Sequence, residues 1–114
     1  MTIQEFKIKL ADSPKDISFS ETMVAIDSKY IFTPTAYTNG TVSNDAGQNS
    51  GSCKLFSFAL KEGLTKQETL ACFGAYYFDE VLLDLKGSSH QNIRNFIKTG
   101  FEGLSFDGEA LKLI

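Results

Sequence analysis

Apolar positions along the chain recur mostly at helical spacing. Phe19, Met23, Ile26 and Tyr30 stand four, three and four residues apart, so on a helix of 3.6 residues per turn they form one stripe that faces a core. Ser18 precedes this stripe and Glu21 follows three positions later, the capping box in which each side chain satisfies an otherwise unpaired amide at the helix start. Thr2 with Glu5 and Thr65 with Glu68 repeat the device. The first opens a helix that puts Ile3, Phe6 and Leu10 on one face, although the alternation Phe6, Ile8, Leu10 would also suit a strand. The third opens a helix carrying Leu70, Phe73, Gly74 and Tyr77. A glycine inside a helix costs about 1 kcal/mol, so Gly74 implies close packing against another backbone.

Between these helices, Thr33 to Ser52 is rich in Thr, Asn, Gly and Ser and has no long apolar run. It reads as an extended segment, a turn at Asn39-Gly40 and a polar loop. Ser50 or Ser52 then caps a helix from about Cys53 to Leu60, with Leu55, Phe56, Phe58 and Ala59 inward and Gly63 closing it. Ser88 or Ser89 caps another from His90 to Thr99, with Ile93, Phe96 and Ile97 inward and Gly100 at its end. Leu104, Ser105 and Phe106 alternate up to Asp107-Gly108, a two-residue hairpin signal that predicts a returning strand bearing Leu111 and Leu113. The fold class is therefore α+β: one compact domain over residues 1–114, with about five helices and a small antiparallel sheet.

Composition narrows the function more by exclusion than by assignment. At 114 residues, 42% hydrophobic and 22% charged, the chain has apolar material for one core and too little net charge for a disordered polymer. Eleven basic and fourteen acidic side chains are intermixed and give a net charge of -3, which argues against nucleic acid, since phosphate binding draws on a concentrated basic surface. Two cysteines without a Cys-x-x-Cys pair and a single histidine argue against a structural metal site. No cofactor is implied. The first ten residues include Glu5, Lys7 and Lys9, so no conventional signal peptide is expected, and no stretch reads as a membrane span.

Three segments carry a resemblance: Phe32-Thr33-Pro34-Thr35-Ala36-Tyr37 with Asn39-Gly40; Asn44-Asp45-Ala46-Gly47-Gln48-Asn49-Ser50-Gly51-Ser52-Cys53-Lys54; and His90-Gln91-Asn92-Ile93-Arg94-Asn95-Phe96. In order and spacing the chain resembles the HopJ type III effector family over nearly its whole length. The resemblance implies delivery through type III secretion for proteins so labelled and no particular chemistry. Such export signals are Ser-rich and acid-poor, whereas this chain has Glu5 and no serine before Ser13. The expected location is thus the bacterial cytoplasm, with secretion into a host cell resting on the family label.

Two chemistries suggest themselves. Cys53 follows a Gly-, Asn- and Ser-rich loop and is expected at a helix N-terminus, where the macrodipole lowers a thiol pKa. With His90 as base and Asn92 as orienting amide it would make a small cysteine hydrolase, and Gly51-Ser52-Cys53 with Gln48 upstream faintly resembles papain-type proteases. The other reading is a non-enzymatic binding module. It uses the amide-rich supply of Asn39, Gln48, Asn49 and Asn95 with Arg94, the only arginine, to line a polar cleft between the Asn39–Cys53 loop and the His90–Asn95 helix start. Its partner would be a small polar ligand or a protein, and a purely protein-directed role would call for an exposed apolar patch, for instance around Tyr76 to Phe78.

Overall fold

The computed structural model describes residues 2–114. Among these described residues there are five α-helices: α1 (Ile3–Asp12), α2 (Phe19–Asp27), α3 (Ser50–Glu62), α4 (Lys66–Ala71) and α5 (Gln91–Thr99). A π-helical turn spans Tyr76–Val81, and 3-10 turns span Pro14–Asp16 and Gly100–Gly103. Five short strands are β1 (Tyr30–Phe32), β2 (Tyr37–Asn39), β3 (Val42–Asn44), β4 (Leu104–Phe106) and β5 (Leu111–Leu113). The α+β class holds.

All three capping boxes form, with both reciprocal hydrogen bonds, at the starts of α1, α2 and α4. The third helix is shorter than its pattern suggests. It ends at Ala71, and Gly74 lies beyond it with φ +61. The close approach inferred from the glycine is real, because a Cβ there would lie 2.8 Å from the Ile17 carbonyl oxygen and 3.0 Å from the Phe19 nitrogen.

The Asp107-Gly108 hairpin does not form. β4 pairs with β2, Tyr37 opposite Phe106, while β5 pairs with β1, Phe32 opposite Leu111. Residues 30–39 and 104–113 therefore run as one antiparallel ribbon in constant register, interrupted in the middle. Thr33 N–H still donates to Ala110 O at 2.8 Å and Asp107 N–H to Ala36 O at 2.9 Å across the gap. Pro34, which has no N–H to give, lies in that interruption. The chain does not turn back at Asp107 because Ala110 and Leu111 are buried against the rest of the core. The hairpin that does form joins β2 to β3 around Gly40, as Asn39-Gly40 predicts.

α3 runs through the middle of the molecule, and Leu55, Phe56 and Phe58 are fully buried on it. The Phe56 ring meets Tyr37, Phe73 and Phe96 with centroids 6.4, 5.5 and 4.9 Å away. One core thus joins ribbon, α5 and the α4 region. No helix among the described residues is long and apolar enough to cross a membrane.

Candidate functional site

The starts of α3 and α5 face each other across a cleft of about 460 Å³. Both differ from the other helix starts. Their N-cap residues, Asn49 and His90, are non-glycine residues in the left-handed region, φ 48 and 51, and neither start is closed by a side-chain hydrogen bond. The serines expected to cap them do not. The first-turn amides of a helix have no partner within the helix, so both starts present backbone donors that no side chain covers.

The Asn49 side chain joins a network instead of capping α3. Its Nδ2 donates to Asn44 Oδ1 at 2.7 Å, and Asn92 Nδ2 donates to the same oxygen at 3.0 Å. Asn92 Oδ1 in turn accepts from Asn39 Nδ2 at 3.1 Å and from Asn44 Nδ2 at 3.3 Å, and Asn39 Nδ2 reaches Asn92 O at 2.7 Å. Four amides from β2, β3, the loop before α3 and α5 form one network, with Asn39, Asn44 and Asn92 buried. This fixes the spacing of the two helix starts. Asn39 Oδ1 is the one buried side-chain polar atom without a partner among the described residues.

Opposite the amides stands an aromatic wall. Phe19 stacks on Phe73 with centroids 6.2 Å apart, Tyr76 meets Phe19 edge-on at 5.4 Å, and the His90 ring lies 5.3 Å from Tyr76. Gly51 lets the Phe19 ring reach the α3 start, where a Cβ would lie 2.8 Å from Phe19 Cζ. The π-helical turn sets Tyr76 and Glu80 on His90 together, with Glu80 Oε1 2.9 Å from Nε2.

The candidate residues divide accordingly. Asn49, His90 and Asn92 line the cleft, with Ser52 and Gln91 beside them. Asn39 stands behind it in the network. Asn95 holds the β2–β3 turn, donating to Gln91 O at 3.0 Å and accepting from Thr41 Oγ1 at 3.3 Å. Gln48 is exposed and closes a turn with Asp45, whose N–H it accepts at 3.0 Å. Arg94 clamps the loop before α5. It donates to Ser89 O, to Asp84 O at 2.7 Å and to Ser89 Oγ at 3.3 Å.

Cys53 departs from its expected position. α3 begins at Ser50 instead of near Cys53, so the cysteine sits one turn in, its N–H already donated to Asn49 O at 3.0 Å. It is buried, and its thiol faces Thr35 O at 3.5 Å, a carbonyl in the interruption of the ribbon. Burial pushes the thiol pKa up and outweighs the lowering influence of hydrogen bonding from the Thr35 backbone and the Ser57 side chain. The alternative hydrolase reading calls for a helix-end thiolate, and the environment acts in the other direction.

Composition hid the wall of this cleft. Phe19 reads as part of the core stripe of α2, Tyr76 as part of an aromatic cluster and Ser52 as a helix cap or the neighbour of Cys53, and nothing in the sequence marks Glu80. The four-residue spacing of Tyr76 and Glu80 was the available sign, since it places both on one side of a helical turn.

Comparison with known proteins agrees with this fold. A family model described as HopJ type III effector protein matches residues 3–111. A crystal structure of a protein of unknown function, VPA0580, superposes with a TM-score of 0.97 at 50% sequence identity, covering 100% of this chain and 95% of that one. No curated protein matches.

Proposed function

Because the chain belongs to the HopJ type III effector family, whose label speaks of delivery and not of chemistry, we propose that it is a non-enzymatic binding module whose cleft between α3 and α5 takes a small carboxylate with a flat apolar body. The observation that carries this reading is the meeting of two amide-rich segments, distant in sequence, across a single cavity walled by aromatic rings. Backbone amides at two uncapped helix starts suit an anionic oxygen. The rings of Phe19 and Tyr76 suit an apolar plane.

Among the described residues, no free lysine or arginine supports the site. Lys54 is paired with Asp27 at 2.9 Å, and Arg94 is spent on loop carbonyls. A single negative charge therefore fits better than a polyphosphate, which calls for several basic partners. Against the alternative, a cysteine hydrolase using Cys53 and His90, weigh the burial of the sulfur, its raised pKa and its engagement with Thr35 O.

Titration with benzoate, using benzamide as the neutral control, followed by amide NMR of the labelled protein, tests the proposal. Benzoate is expected to shift the Gly51, Ser52, Gln91 and Asn92 amides, benzamide much less, and Ser52→Phe, which fills the cleft, is expected to abolish the response. If none of those four amides moves with benzoate up to about 10 mM, a weak limit for a fragment of this size, the ligand class is wrong.

A further inference from the structure

Away from the cleft, the chain after the π-helical turn exposes three leucines in quick succession: Leu82 at 39%, Leu83 at 79% and Leu85 at 72%. Scattered single apolar residues on a surface need no explanation, whereas a cluster of this kind marks a contact surface. Tyr77, part of the patch expected from sequence, is buried instead, so the exposed apolar material lies further along the chain. Leu82 and Leu83 border a groove of about 470 Å³ whose apolar lining includes Ile17, Ala75 and Phe78. Lys15 and Asp79 also line that groove, and neither makes a salt bridge or a side-chain hydrogen bond among the described residues.

We propose that this face is where two copies of the chain pair about a twofold axis, the Leu83 and Leu85 side chains of each entering the groove of the other while Lys15 of one meets Asp79 of its partner. A twofold interface requires one patch to complement itself, so that residue i meets j and j meets i. This patch holds both halves of each match: exposed leucines beside an apolar groove, and an unpaired cation beside an unpaired anion. A partner carrying only basic charge would leave Lys15 unmatched, and one carrying only acidic charge would leave Asp79 unmatched.

Sedimentation equilibrium of the full chain over a range of concentrations tests the pairing. The wild type is expected to dimerise with a Kd on the order of 100 µM or tighter, in keeping with a small interface. Leu83→Asp and Leu85→Asp are expected to weaken it about 100-fold or more without lowering the melting temperature, since both side chains are exposed in the single copy. Lys15→Glu and Asp79→Lys are each expected to weaken pairing about tenfold, and the double variant to regain the wild-type constant, because the reversed charges meet again. A wild type that is monomeric at about 1 mM, ten times that constant, overturns the proposal. So does a dimer that ignores both leucine substitutions, or charge reversals whose effects add instead of cancelling.

Discussion

Cys53 answers a need created in another part of the chain. Where the ribbon is interrupted around Pro34, the half-buried Thr35 carbonyl loses its place in a ladder, and a carbonyl shielded from water without a donor costs free energy. The thiol of Cys53, a buried side chain, supplies a weak donor at 3.5 Å. The same burial raises its pKa, and Cys72, fully buried, is pushed up to about 12. Neither thiol should therefore behave as a nucleophile in the folded protein. Iodoacetamide at pH 8 is expected to modify both cysteines at least about 100-fold more slowly in the native than in the urea-unfolded state. Fast native alkylation of Cys53, lost in His90→Ala, would instead restore the hydrolase reading.

Among the elements, those defined by local rules were legible and those defined by distant partners were not. The three capping boxes act within four residues, and they form as the sequence indicates. The serines near the starts of α3 and α5 suggest caps that do not form, because Asn49 before α3 and Asn92 in the first turn of α5 are held instead by an amide network linking residues about fifty positions apart. The ribbon was misread for the same reason. Asp107-Gly108 is a good local turn, but Leu111 is buried opposite Phe32 and the chain runs on. The candidate site is half legible: the two amide-rich segments stand out in the sequence, while Phe19 in the aromatic wall has the spacing of a core residue. Gly74 shows the joint between the two kinds of information. It sits where the α4 region touches the backbone leading into α2, so a methyl group there is opposed both by its positive φ and by the Ile17 carbonyl. Gly74→Ala is expected to cost about 2–4 kcal/mol. Gly63→Ala, with φ +68 but nothing within 4 Å of the new Cβ, should cost only about 1 kcal/mol. Urea denaturation midpoints of the two variants check the difference, and equal losses would show that crowding at Ile17 plays no part.

At the scale of the whole molecule, one carboxylate ties together segments that also meet in the core. Glu62, at the last position of α3 with its side chain 7% exposed, accepts from Lys7 of α1 at 2.9 Å, from Lys29 at 2.9 Å and from the hydroxyl of Tyr30. A carboxylate at a helix C-terminus is disfavoured by the macrodipole, so these partners must outweigh that effect as well as the loss of water. Burial alone would raise the Glu62 pKa. The Tyr30 hydroxyl, Lys7 and Lys29 overcome it and bring the pKa to about 2, from an ordinary value of 4.5. A group whose pKa is lower when folded stabilises the fold above its unfolded pKa and ceases to do so as pH falls through the folded one. The contribution is thus complete at neutral pH, declines from about pH 4.5 and is gone near pH 2, with a ceiling of about 3 kcal/mol by linkage. Glu62→Gln removes the charge while keeping the shape, and its stability deficit should follow that window: about 2–3 kcal/mol at pH 7, shrinking steadily below pH 4.5. Thermal unfolding of wild type and variant between pH 2 and pH 7 measures it. A deficit that stays constant across the range would mean that Glu62 acts through packing and hydrogen-bond geometry, with its charge and the two lysines contributing nothing to the fold.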